Sequence, residues 1–119
     1  MITRYHNVVF QTKKNKQTQK IYIPTWEEVV ERCYDQELSF FSDQVIKVLY
    51  NSAKSYRVVI LMRNDGNYRI IEEELIACDE DDLIYQQDIW GYWSRIDRYV
   101  SIFDSLESAE EEALRLIVN

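Results

Sequence analysis

Between residues 72 and 93 the chain gathers its densest set of groups able to make strong polar contacts. Glu72, Glu73 and Glu74 come first, then Asp79, Glu80, Asp81, Asp82 and Asp88, with Tyr85, Trp90, Tyr92 and Trp93 interleaved toward the end. Ionised carboxylates only accept hydrogen bonds; they take paired bonds from Arg and point contacts from Lys. Large flat side chains supply the buried anchors of protein interfaces. Together these types suit recognition of a basic protein surface, and the candidate contact residues are Asp79, Glu80, Asp81, Asp82, Tyr85, Asp88, Trp90 and Tyr92. Core packing is the competing use of Trp90 and Trp93, and a solvated loop is the competing use of the carboxylates.

Other chemistry is poorly provided for. Nucleophilic catalysis by Ser or Cys needs a base, and the single histidine, His6, lies near a chain end. Paired carboxylates of the glycosidase type are present by residue type, and that reading requires a concave pocket holding two buried carboxylates with raised pKa values. Hard cations take oxygen ligands, but the run Asp79-Glu80-Asp81-Asp82 lacks the alternating spacing and central Gly of an EF-hand loop. Cys33 and Cys78 form neither a disulfide framework nor a zinc pattern and read as small buried hydrophobes. Two glycines give no phosphate-cradling loop. The expectation is a non-enzyme with no cofactor and no bound metal.

Charge sharpens the choice of partner. The net charge is −7, and it is unevenly placed: residues 1–34 carry six Lys/Arg against three Glu, residues 35–119 eight against eighteen Asp/Glu. Such a field repels nucleic acid and anionic lipid and speeds encounter with a cationic partner. The lysine-bearing segment Gln11 to Lys20 has no interleaved aromatic to stack a base and reads as a solvated hairpin tip. With no apolar run long enough to span a bilayer and no signal-peptide pattern at the start, the expected location is the cytoplasm.

The elements that must position these groups follow from patterning. Val8-Val9-Phe10 and Ile21-Tyr22-Ile23 read as short strands. Thr25 and Glu28 form a capping box that opens a helix over about 25–35, with Trp26, Val29, Val30, Cys33 and Tyr34 on its core face. Residues 37–51 fit two patterns: Leu38, Phe41, Val45 and Leu49 make a helical stripe, while Val45 to Tyr50 has strand-like β-branched content, which favours a turn or short helix over Leu38 to Phe41 and then a strand. Tyr56–Arg63 and Asn67–Leu75 flank Asn64-Asp65-Gly66, a type I turn with a bulge, which pairs Met62 with Tyr68 and Ile60 with Ile70. That register places Glu73 opposite Arg57. Ile89–Ile96 and Tyr99–Phe103 read as further strands. A last helix over about 105–117 has Asp104 as its cap and Leu106, Ala109, Ala113, Leu116 and Ile117 along one side. The fold class is α+β: a single domain over 1–119 with an antiparallel sheet of about four to six strands and helices packed on one face.

Gly91-Tyr92-Trp93-Ser94, the strand Tyr99–Phe103 and the run Asp104-Ser105-Leu106-Glu107-Ser108-Ala109-Glu110-Glu111 resemble a pattern in small acidic bacterial immunity proteins of toxin systems. The resemblance covers the last third of the chain, and its motifs are those of any strand leading into an amphipathic helix. It implies a cytosolic inhibitor that neutralises a cognate toxin, commonly a basic nuclease domain, by covering its active site or an adjacent surface. It transfers no individual residue. The alternative is a small accessory or regulatory interaction domain whose acidic loop only keeps it soluble. Either reading expects a protein partner, with neither direct nucleic-acid nor membrane contact.

Overall fold

The turn Asn64-Asp65-Gly66 sets the register of the central sheet. Gly66 adopts φ +85°, its N–H donates to the Arg63 carbonyl at 3.0 Å, and the Arg63 N–H donates to the Asn67 carbonyl at 2.7 Å. A left-handed residue after a type I turn closes the hairpin with one bulge. Strands β4 (Tyr56–Met62) and β5 (Tyr68–Ala77) then pair as expected, Met62 with Tyr68, Ile60 with Ile70 and Arg57 with Glu73.

The computed structural model describes residues 5–11, 16–38, 42–98 and 101–118. The lysine-bearing tip at 12–15, residues 39–41 of the expected turn and residues 99–100 of the expected strand lie outside the described residues, as does the side chain of His6. Contacts gather the chain into two compact units: Met1–Tyr34 with Ile76–Tyr92, and Asp35–Leu75 with Trp93–Asn119.

The second unit holds most of an antiparallel five-stranded sheet. Its order is β3 (Gln44–Tyr50), β4, β5, β6 (Gly91–Ile96), with the short β7 (Ile102–Phe103) paired to the start of β5. A register shift between Val45 and Lys47 puts a bulge in β3. Helix α3 (Leu106–Val118) packs its Ala109 and Ala113 on Val58 and Ile60, with Leu106, Leu116 and Ile117 around them. Small residues let the helix approach the sheet, and the stripe is the one its spacing predicts. Ser105, not Asp104, caps this helix: its hydroxyl accepts from the Ser108 N–H at 3.2 Å. The opposite face of the sheet is apolar too, where Val59, Leu61 and Ile71 are buried with Leu38 and Val48 against them. α+β is therefore the fold class, with the C-terminal helix on the sheet as expected.

The first unit is built on the two-stranded antiparallel pair β1 (Tyr5–Gln11) and β2 (Lys16–Tyr22). Both strands are longer than their apolar cores predict, and Lys16 to Lys20 is strand, not loop. Helix α1 (Trp26–Cys33) begins with the expected capping box: the Thr25 hydroxyl accepts from the Glu28 N–H at 3.2 Å and the Glu28 carboxylate accepts from the Thr25 N–H at 2.9 Å. Val29 and Cys33 are buried, but Trp26 is 43% exposed. Side chains on a helix lean toward its N-terminus, so a residue in the first position reaches past the element and off the face that Val29 and Cys33 bury.

A candidate protein-interaction surface

The acidic run is a short helix rather than a loop. Asp79 is the N-cap of α2 (Glu80–Tyr85), its carboxylate accepting from the Asp82 N–H at 2.9 Å. Glu80, Asp81 and Asp82 fill the first turn, where the helix dipole favours negative charge. Leu83, 1% exposed, fixes the helix to the core of the first unit, and α2 packs against β2. This is a helix start legible in sequence: an Asp cap, acids in the first turn, and Leu83 and Ile84 following them.

Of the six residues Leu83 is buried and Ile84 half-buried, and the other four side chains are exposed. Asp79, Glu80, Asp81, Asp82 and Asp88 are all exposed. Among the described residues no cation pairs with Asp81, Asp82 or Asp88. Beside them Tyr85 is 81% exposed, Tyr92 46% and Ile89 44%. Seven of the eight residues predicted as contacts thus stand at the surface of one unit, together with Ile89, which sequence reasoning did not single out.

Trp90 is the exception. It is half-buried: its ring lies 5.6 Å from that of Tyr22, the Arg32 guanidinium sits 3.7 Å from its centroid, and its indole N–H donates to the Gln87 carbonyl at 3.2 Å. A cation over a Trp face is a favourable contact. Arg32 is therefore more than part of a solvated helix face. The Cys78 N–H donates to the Trp90 carbonyl at 2.9 Å, tying the two ends of the acidic segment together. The neighbouring Gly91 is buried, and a Cβ there would stand 2.8 Å from Val29 Cγ1 and 2.9 Å from the Ile76 carbonyl oxygen.

Both cysteines are free thiols in this unit. Burial pushes the Cys78 thiol up, and Asp82, Cys33 and Asp79 add to it, which keeps the sulfur protonated and a poor nucleophile. Trp93, by contrast, serves the second unit, its ring 4.3 Å from the Arg57 guanidinium and 6.2 Å from Tyr50 in edge-on contact. Glu72 and Glu73, both shielded, are neighbours on β5 and so point to opposite faces of the sheet. Glu73 bonds Arg57 at 2.8 Å, while Glu72 accepts from Tyr56 at 2.5 Å. They do not converge on one cleft. Among the described residues no three His, Cys, Asp or Glu side chains are placed to share a metal ion, and no helix is long and apolar enough to cross a membrane. No family model, no curated protein and no solved structure matches this chain.

Proposed function

We propose that this chain is a non-enzymatic binding protein that neutralises a basic protein partner, a toxin such as a nuclease domain, through the surface formed by α2 and the segment leading to Tyr92. The observation that carries the reading is Tyr85, 81% exposed on a helix whose first turn is entirely acidic. A large aromatic held in water beside exposed carboxylates is the composition of a recognition patch, a flat anchor ringed by charge. Asp81, Asp82 and Asp88 stand in for phosphates toward the partner's Lys and Arg, with Tyr85 and Tyr92 as anchors. Asp79 contributes as the cap that holds the helix, and Trp90 as a ring packed against Tyr22 and Arg32.

A second reading has its own support. First-turn acids and an Asp cap stabilise α2 whether or not anything docks there, as an accessory domain with a solvating acidic helix requires. Affinity purification of the tagged chain from its native cell, followed by stopped-flow association with the captured protein, separates the two. Neutralisation predicts a basic partner whose association slows at least about tenfold in the Asp81→Lys, Asp82→Lys, Asp88→Lys triple variant and falls with added salt. An unchanged rate at low salt sinks the acidic-surface reading.

A further inference from the structure

Half of the chain's eight arginines line one cavity. Arg69, Arg95, Arg98 and Arg115, from β5, β6, the segment after it and α3, surround a space of about 130 Å³ in the second unit, and no lysine joins them. Glu72, Asp97 and Glu112 are the acids of the lining, so cations outnumber anions here in a protein of net charge −7. Arg98 and Arg115 also line a second pocket with Tyr56 and Asn51, so these two guanidiniums are common to both spaces.

The ion pairs at this place differ in how firmly they hold. Arg69 is tied at 2.5 Å to Asp43, a carboxylate only 10% exposed and no part of the lining. Arg98 and Arg115 are 54% and 55% exposed. Arg98 stands 3.5 Å from Glu72, and Arg115 is paired with Glu112 one turn away on the same helix. The Arg98–Glu72 contact is single and long, whereas Arg115 meets Glu112 through two bonds, its Nε–H donating at 2.9 Å, so an anion arriving at Arg115 has to displace that carboxylate. Glu72 is itself only 10% exposed, and when Arg98 turns away it keeps the Tyr56 hydroxyl, which donates to its other oxygen at 2.5 Å. The planar fork of Arg suits oxyanions, where a lysine would supply only a point charge.

We infer that this cleft binds a small-molecule oxyanion, a phosphate or carboxylate group, held in paired hydrogen bonds by Arg98 and Arg115 with Arg69 and Arg95 supplying field. The space admits several waters, so an anionic group has room to enter between the two guanidiniums. The site is separate from the acidic surface and does not depend on its role.

Titration of the ¹⁵N-labelled full chain with inorganic phosphate and, in parallel, with acetate at matched ionic strength tests this. The expected result is a saturable shift of the Arg98 and Arg115 Nε–H signals with one of the two anions and none with chloride; which anion saturates identifies the group. Arg98→Gln with Arg115→Gln weakens binding at least about tenfold, the value of one charge-assisted bond. If that variant does not fold, Arg98→Lys with Arg115→Lys decides, with the same weakening expected from loss of the fork. Saturation by neither anion, or affinity unchanged in the lysine variant, overturns the assignment.

Discussion

Arg57 is a cation sealed inside the second unit, 2% exposed, whose partners come from distant stretches of chain. Its Nε donates to Glu73 at 2.8 Å, another guanidinium nitrogen donates to the Gln36 carbonyl at 2.9 Å, and the Trp93 ring covers it. Removing one member of such a pair strands the other, so Arg57→Ala should lower the unfolding free energy by about 3–5 kcal/mol in urea titrations. Arg57→Met with Glu73→Leu should recover most of that loss, since two apolar groups leave no buried charge behind. The pairing of Arg57 with Glu73 was legible, because turn type fixes register. The burial of Arg57 was not: it depends on Gln36 and Trp93, which no local pattern connects to it. Tyr56 gives a residue-scale prediction in pH. Burial first, then its bond to Glu72 and that residue's charge, raise the Tyr56 phenol well above its ordinary range. As pH climbs past about 10, the unfolded chain releases a proton that the folded one keeps, so stability falls with rising pH from there toward the folded pKa. Denaturant titrations at intervals through this range should show a downward slope that is shallower in Tyr56→Phe.

Among the elements, two glycines separate backbone requirements from packing requirements. Gly66 has φ +85°, and a Cβ added there would meet no atom within 4 Å, so Gly66→Ala should cost about 1–2 kcal/mol through the backbone alone. Gly91 starts β6 where a Cβ would press on Val29 Cγ1 and the Ile76 carbonyl oxygen, and the oxygen, being backbone, cannot swing aside. Gly91→Ala should cost roughly 1–3 kcal/mol by overpacking and displace the Val29 methyl resonances, whereas Gly66→Ala should leave them in place. Sequence made the first of these visible and not the second, since a turn is a local event and a close approach of α1, β5 and β6 is not. The same division explains the candidate surface. Asp79 to Asp82 are conspicuous as charges, yet reading them as a loop misses their helix, although an Asp cap, acids in the first turn and an apolar pair behind them announce one. Trp26 fails in the other direction: its spacing is right for the core face, but its place at the first turn carries the ring beyond it.

At the scale of the whole chain the acid excess dominates solution behaviour. With a pI near 4.7, the net charge vanishes there and mutual repulsion is lost, so turbidity or light scattering should show a solubility minimum close to that pH and clear solutions at neutrality. Patterning and composition carried the α+β class and the charge. They held no sign of two compact units, because no Pro, Gly or Ser-rich linker marks where the chain passes from one to the other. Each unit is stitched from two separated stretches, Met1–Tyr34 with Ile76–Tyr92 and Asp35–Leu75 with Trp93–Asn119. During synthesis this has a cost in time. The β1–β2 hairpin and the eight-residue α1 leave the ribosome before α2 and β6, and a lone hairpin or so short a helix is marginal by itself. They must wait for α2 and Gly91 before their core can close, so that apolar surface stays open to chaperones and proteases while the intervening Asp35–Leu75 is made.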